Sequence, residues 1–181
     1  MASWSRIARR IRVPEGFVFA AFYLWLARPS WACLAAGASV VAIGVALRAY
    51  ASGHVRKASE LTTTGPYAHT RNPLYLGSLI IAAGFATAAR SLWIALALAV
   101  IFFAIYLPVI RLEEQFLRSQ FPGFDEYARR VPRLLPKLRA ADGPRGEFSF
   151  DLYWKHREYN AALGAAAVLA VLVSKLLWWP S

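Results

Sequence analysis

The sequence predicts an all-α, polytopic membrane protein, and three observations support this fold class. Hydrophobic residues make up 58% and aromatic residues 14% of the 181-residue chain, more than a soluble domain of this size usually carries. The mean hydropathy is positive. The apolar residues are gathered into five runs, separated by polar or charged segments. Because a helix satisfies its own backbone hydrogen bonds inside lipid, we expect about five transmembrane helices.

The lengths of the apolar runs support this interpretation unequally. A hydrocarbon core of about 30 Å requires roughly 20 apolar residues in a helix, so the second, fourth and fifth runs are long enough, whereas the first and third are short. A secretory signal is the alternative for the first run, because arginines precede it, but no small-residue cleavage site follows before Arg28. The five predicted spans are Val13 to Ala27, Trp31 to Ala51, Leu74 to Ala89, Leu92 to Ile110, and Tyr159 to Trp179.

The distribution of basic residues predicts the orientation. With the N-terminus in the cytoplasm, only Arg28 and Arg90 lie in outside loops, while Arg48 and Lys175 lie within spans near their ends. The formal net charge of +11 is then typical of cytoplasmic loops that contact anionic lipid. We expect the lipid bilayer, and not nucleic acid, as the partner of these charges, because no nucleic-acid motif accompanies them.

Cysteine and histidine usage argues against a metal site. Cys33 is the only cysteine, and the three histidines lack the spacing of a metal-binding helix, so we predict no metal and no intramolecular disulfide. The Gly-, Pro- and Asp-containing stretch from Ala140 to Phe148 is the best linker candidate. We therefore divide the chain into a membrane core with polar motif segments, residues 1–139, and a linker with an additional, loosely attached C-terminal helix, residues 140–181.

The first polar segment, from Gly65 to Gly77, is rigid and charged and lies between two apolar runs. Asn72 is a favoured N-cap residue, and Pro73 suits the first position of a helix, so a helix is predicted to begin here at the membrane edge. The free N–H groups of its first turn would favour a carboxylate or phosphate. The alternative is that this pair only caps a helix, with Tyr67 and Tyr75 as interfacial anchors.

The second polar segment, from Arg111 to Arg133, continues the fourth apolar run past the membrane. It carries adjacent carboxylates, Glu113 and Glu114, for which an ordinary surface pair of Glu114 with Arg118 is the alternative. Pro108, earlier in the same helix, removes one backbone hydrogen bond and is predicted to kink it. Two such segments on one side of the membrane could form a site.

Both segments together resemble one family, the isoprenylcysteine carboxyl methyltransferases and the related phospholipid methyltransferases of membranes. The family's first motif is matched in this chain by Gly65-Pro66-Tyr67, Arg71-Asn72-Pro73, Tyr75 and Gly77. Its second motif resembles Glu113-Glu114, Leu117, Phe121-Pro122, Tyr127 and Arg130-Val131-Pro132-Arg133. The resemblance covers roughly Gly65 to Pro136. Asn72 stands where many family members have histidine.

This resemblance implies an integral membrane methyltransferase that takes S-adenosylmethionine from the cytosol and methylates a lipophilic acceptor. Glu113, Glu114, Arg130 and Arg133 are the implied catalytic residues, with the two arginines orienting an acceptor carboxylate. The implied cofactor-binding residues are Tyr67, His69, Arg71, Asn72, Pro73, Tyr75, Leu76, Gly77, Glu113 and Glu114. A carboxylate acceptor needs no general base, whereas an amine acceptor would need Glu113 or Glu114 as the base.

Two other functions fit parts of the sequence. Membrane sterol and steroid reductases carry a similar Arg-x-Pro-x-Tyr element at an NADPH site, and a non-enzymatic scaffold would fit the spans and the charge. Against the reductase, Glu113-Glu114 followed by Val131-Pro132-Arg133 resembles the methyltransferase version of the motif. The scaffold does not explain two ordered polar motifs. The core motifs give the C-terminal helix no role, and we expect it to wall the lipid-side entrance to the site.

Overall fold

The computed structural model describes residues 22–56, 60–140 and 146–178, and all regular structure in these residues is helical. Residues 22–26 are helical and precede the first complete helix. A 3₁₀ turn, Gly65–Ala68, begins the first polar segment. The complete helices are α1 (Trp31–Ser52), α2 (Pro73–Ala89), α3 (Leu92–Gln120), α4 (Phe124–Arg130), α5 (Phe150–Lys155) and α6 (Tyr159–Trp178).

The predicted fold class, a polytopic all-α membrane protein, is confirmed for the described residues. Three of their helices, α1, α3 and α6, are long and apolar enough to cross a membrane. Helix α2 is apolar but has 17 residues, which corresponds to a length of about 26 Å. Residues 13–21 of the first predicted span lie outside the described residues, as do residues 141–145 of the predicted linker.

Helices α1 and α2 form a tightly packed hairpin because glycines occupy the contact. A Cβ built on Gly37 would lie 2.5 Å from the carbonyl oxygen of Gly84, and one built on Gly44 would lie 2.8 Å from that of Gly77. Glycine therefore recurs after seven residues on both helices, and it allows the two backbones to touch. This contact fixes the start of α2, which carries the first polar segment.

Helix α3 continues without a break for 29 residues, from the membrane into the second polar segment. Its middle contains a π-helical turn, Phe102–Tyr106, that ends immediately before Leu107 and Pro108. The N–H group of Leu107 donates to the carbonyl of Phe102, five residues earlier. Pro108 has no N–H group to donate, and the helix changes to π-helical winding just before it. Such π-helical turns are frequent at functional sites.

The C-terminal helices are tied to the rest of the fold at both ends. The N–H group of Ser149 donates to Gly53 O at 2.9 Å, which joins the segment before α5 to the end of α1. At the far end of α6, the Lys175 ammonium donates to the carbonyls of Leu24 and Ala27 at 2.6 and 2.7 Å. These contacts do not fit a loosely attached helix. The division of the chain at residue 139 stays a prediction.

Candidate functional site

The two polar segments meet at the end of the bundle where α2 begins. The chain enters this region through Gly65, whose φ of +56° is in the left-handed region that favours glycine. A Cβ at this position would also lie 2.5 Å from the His54 ring, which packs against the turn. The 3₁₀ turn then carries Tyr67 into the interior, and Asn72 and Pro73 begin α2.

Glu114 is the centre of the contact between the segments. Its Oε1 accepts from Arg71 Nε at 3.0 Å and from Asn72 Nδ2 at 3.1 Å, while its Oε2 accepts from Arg133 Nε at 2.8 Å. The residue is only 5% exposed, so the carboxylate is buried together with its partners. A buried carboxylate that is paired and hydrogen-bonded on both oxygens holds its neighbours in one arrangement.

Helix α2 begins at Pro73 with Asn72 at its N-cap position, as predicted, but two local interactions that spacing along the chain suggests are not formed. The Asn72 side chain does not cap α2; its amide donates to Glu114 and to Arg133 O at 2.9 Å, because these acceptors are buried beside it. Glu114 does not form a surface pair with Arg118, which instead binds Asp125 at 2.7 Å. In both cases a tertiary partner replaces the local one that spacing along the chain suggests.

Glu113, the adjacent carboxylate, has a different environment. It is exposed, and its Oε1 accepts from the Tyr75 hydroxyl at 2.8 Å. The Tyr75 ring lies edge-on to the ring of Tyr106, with 6.0 Å between the ring centroids. Glu113 and the two tyrosines therefore form a partly open cluster of one negative charge and two aromatic rings, which we call the acidic-aromatic cluster.

Tyr67 and Tyr127 fasten the two segments from the interior. The Tyr127 hydroxyl donates to Tyr67 O at 2.8 Å, and both side chains are buried. Burial is the largest cause that raises the pKa of Tyr67 and of Tyr127 well above the usual range. Nearby carboxylates add to the rise, whereas Arg48 lowers the pKa of Tyr67 and Arg71 lowers that of Tyr127. Both phenols are therefore neutral at physiological pH.

His69 and Thr70 bind the chain that follows α4. His69 exchanges two bonds with Lys137: its carbonyl accepts from Lys137 N at 3.0 Å, and its Nδ1 donates to Lys137 O at 2.8 Å. Thr70 Oγ1 donates towards Arg133 O and Leu134 O at 3.2 and 3.0 Å. These residues position the backbone after α4, and the structure gives His69 this role.

The remaining predicted site residues do not all lie together. Gly77 faces α1, where a Cβ would meet the Arg48 side chain at 2.6 Å, so it serves helix packing. The N–H group of Leu76 donates to Asn72 O, as the first turn of α2 requires. Arg130 forms an exposed pair with Glu126 at 3.4 Å, and Arg133 is held on Glu114.

Three residues in the contacts at this end of the bundle, Arg48, Glu158 and Tyr106, were not predicted as site residues. Arg48 donates to both oxygens of Glu158, at 3.1 and 2.8 Å, and also to Leu74 O in the first turn of α2 at 3.2 Å. The side chains are 22% and 11% exposed. The available signal was an arginine inside an apolar run, which usually marks a paired or functional residue. Tyr106 was missed because an aromatic residue in a span carries no such signal.

The arrangement favours the binding of a positively charged group. A carboxylate beside aromatic faces attracts cations, and the nearby arginines are engaged by other carboxylates, Arg48 by Glu158, and Arg71 and Arg133 together by Glu114. In the part of the chain that the structure describes, no group of three or more His, Cys, Asp or Glu side chains is arranged to hold a metal ion.

Comparison with known proteins places the chain in a family. The sequence model of the phospholipid methyltransferases matches residues 30–123, just over half of the chain. The nickel-cobalt-cadmium resistance protein NccN of Alcaligenes xylosoxydans xylosoxydans is 44% identical over 89 residues, 49% of this chain and 41% of that protein. The cobalt-zinc-cadmium resistance protein CzcN of Cupriavidus metallidurans is 40% identical over 113 residues, 62% of this chain and 50% of that protein.

The chain spans about half the length of these curated relatives or less. No solved structure matches significantly. The matched region of the family model contains α1, α2 and α3 together with the first polar segment and both carboxylates of the second. The chain is thus an integral membrane protein that belongs to the phospholipid methyltransferase family.

Proposed function

We propose that the protein transfers a methyl group from S-adenosylmethionine to a lipophilic acceptor. The observation that carries this proposal is the acidic-aromatic cluster of Glu113, Tyr75 and Tyr106 at the start of α2. Membership of a methyltransferase family supports methyl transfer as the reaction class. The carboxylate and aromatic rings of this cluster suit the binding of a cationic methyl donor. The proposed side of the membrane is the cytoplasmic one, where the donor is available.

The residues of the cluster fit the charges of the donor. Glu113 would bind the ammonium or ribose hydroxyls, because its carboxylate is exposed and lies beside the Tyr75 hydroxyl. The rings of Tyr75 and Tyr106 would face the sulfonium, and the positive end of the α2 dipole would favour the carboxylate. When bound, S-adenosylmethionine supplies an electrophilic methyl carbon on a positively charged sulfur.

The other predicted residues would act by holding this cluster in position. Glu114 uses both oxygens on Arg71, Asn72 and Arg133, so it fixes the start of α2 against the end of α3. Tyr67 and His69 fasten the same segments through their backbone and ring bonds. Precise alignment and exclusion of water are the main tasks in an in-line methyl transfer, which suits a rigid support of this kind.

The acceptor would approach between the apolar helices. Arg133 remains 42% exposed in its side chain while it binds Glu114, so it could still orient an acceptor carboxylate. Arg130 is more exposed and lies three residues earlier, at the end of α4. A carboxylate acceptor is already ionised at neutral pH. For an amine acceptor, Glu113 would be the base, since Glu114 is already occupied.

Calorimetric titration of the detergent-purified protein tests the proposal. We expect saturable binding of S-adenosylmethionine and S-adenosylhomocysteine and none of NADPH. Glu113→Gln should raise the Kd for S-adenosylmethionine roughly tenfold to a hundredfold, because a charge-assisted hydrogen bond contributes about 1.5–3 kcal/mol. Glu126→Gln, which alters an exposed carboxylate on α4, is the matched control and should leave the Kd unchanged.

The outcomes separate the alternatives. Binding of NADPH alone would replace the proposal with a reductase, and binding of no ligand would favour a scaffold. If Glu113→Gln and Glu126→Gln bind the donor equally well, the cluster is not the cofactor site. If the adenosyl ligands bind, incubation of the protein with a lipid extract and labelled methyl donor would identify the acceptor class from the labelled product.

A further inference from the structure

The chain after α4 exposes leucines in a strongly basic context. We call residues 132–139 the basic loop. Leu135 and Leu138 in this loop are 77% and 101% exposed, whereas neighbouring Val131 is buried. No acidic residue occurs between positions 127 and 140, while Arg129, Arg130, Arg133, Lys137 and Arg139 do. Large exposed apolar side chains among basic ones are typical of segments that contact membrane surfaces.

The basic loop is held in one position by hydrogen bonds. Its backbone is bonded to three consecutive residues before α2: His69 binds Lys137, Thr70 binds Arg133 and Leu134, and the N–H group of Arg71 donates to Pro132 O at 2.9 Å. The Lys137 ammonium also donates to Arg130 O at 2.6 Å. The two leucines therefore project from a fixed backbone.

These bonds also determine the height of the loop relative to the membrane. His69, Thr70 and Arg71 immediately precede α2, an apolar helix packed along the membrane-spanning α1. The loop must therefore lie near the level at which these helices leave the hydrocarbon core. Phe150 and Trp154 of α5 are 70% and 60% exposed, and α5 follows Ser149, which is bonded to Gly53 at the same end of the hairpin.

We propose that the basic loop docks onto an anionic bilayer surface, with Leu135 and Leu138 inserted among the acyl chains near the headgroups. The basic side chains on either side would bind anionic headgroups, and each such residue near the surface contributes roughly fivefold in affinity. Because the loop is bonded to His69, Thr70 and Asn72, lipid contact would also stabilise the start of α2. This inference does not rest on the proposed methyltransferase activity.

Site-directed spin labelling of the full chain in lipid vesicles tests the proposal. In a Cys33→Ala background, a nitroxide is placed at Leu138→Cys and its collisions with oxygen and with a water-soluble nickel chelate are measured. Gln120→Cys at the exposed end of α3 is the aqueous control, and Val171→Cys within α6 is the bilayer control. Vesicles of phosphatidylcholine alone are compared with vesicles that also contain phosphatidylglycerol.

We expect the label at position 138 to gain oxygen collisions and lose nickel collisions in the anionic vesicles, as at position 171. An accessibility equal to that at position 120 in both vesicles would overturn the docking. Equal shielding in both vesicles would overturn the anionic requirement. Spin–spin broadening between labels at position 138 would show that a second copy covers the leucines, which would also overturn the proposal. Because Leu138 is fully exposed, its replacement should not disturb the fold.

Discussion

Arg71 Nε lies 3.0 Å from Glu114 Oε1, which joins the start of α2 to the last turns of α3 across 43 positions of sequence. The carboxylate is buried, and Arg133 holds its other oxygen. Glu113, its neighbour, is exposed and bonded to Tyr75. The two adjacent glutamates therefore have different environments, and we propose that Glu114 supports the site whereas Glu113 belongs to it.

Glu114→Gln should lower the stability of the protein strongly. Removing one partner of a buried ion pair typically costs about 3–5 kcal/mol. Here Arg71, whose side chain is 11% exposed, would remain buried without a countercharge, whereas Arg133 is partly exposed. Glu113→Gln removes an exposed charge and should cost no more than about 1 kcal/mol. Chemical unfolding in detergent micelles, followed by circular dichroism, measures both changes. Equal losses for the two variants would contradict the separation of their tasks.

The pair of Arg48 and Glu158 should link the C-terminal helix to the site. In a double-mutant cycle with Arg48→Ala and Glu158→Ala, we expect a coupling free energy of roughly 1–3 kcal/mol, since the pair is bidentate and mostly buried. The charge-exchanged pair, Arg48→Glu with Glu158→Arg, should recover part of the loss. A coupling near zero would show that α6 is not attached through this contact.

A truncation tests what this attachment does. If α6 walls the lipid-side entrance, a chain that ends after Arg139 should lose methyl transfer to a lipophilic acceptor. The matched point variant is Glu158→Gln, which keeps α6 and removes only the charge that binds Arg48. Radiolabelled methyl transfer measures both proteins. Unchanged activity of the truncated chain would contradict the wall.

The glycine contact between α1 and α2 should tolerate no side chain. Gly84→Ala would place a Cβ 2.7 Å from Val41 N and 2.8 Å from Gly37 O, and backbone cannot move aside cheaply. We expect a loss of about 1–3 kcal/mol. Gly164→Ala in α6 is the control, because among the residues that the structure describes a Cβ there meets no atom within 4 Å. Thermal unfolding should show no loss for this variant, and a similar loss in both would refute the contact.

Alkaline pH should destabilise the protein through its buried tyrosines. The pKa of Tyr127 is raised by burial, so the unfolded chain releases this proton first, near its ordinary value of about 10. The stabilisation is complete below that pH and is lost as the pH rises above it. In Tyr127→Phe, the slope of unfolding free energy against pH above about 10 should be smaller than in the parent.

The control for this slope is Tyr50→Phe, which removes the hydroxyl of an exposed tyrosine. Tyr127→Phe also loses the hydrogen bond to Tyr67 O, worth about 1 kcal/mol, but this loss is the same at every pH below the transition. If the parent and Tyr127→Phe show the same alkaline slope, Tyr127 is not protected from ionisation by burial.

The helices were the most predictable part of the structure. The predicted spans that begin at Trp31, Leu74, Leu92 and Tyr159 each start within one residue of a helix, because long apolar runs permit little other than a helix in lipid. The motif residues were predictable as a set. Their individual contacts were not. Asn72, for example, is a residue type that favours the N-cap, and yet its side-chain amide donates to the Glu114 carboxylate of another helix.

The sequence by itself determined the fold class, the family and the two polar segments, because the length of an apolar run and the order of motifs can be read along the chain without knowing how it folds. Only the tertiary structure decided which glutamate is buried. Successive residues of a helix point about 100° apart, and the partner that selects one of them comes from a distant segment. The tertiary structure also decided that Arg48 pairs with Glu158. The two residues are 110 positions apart, so their pairing depends on how the helices pack.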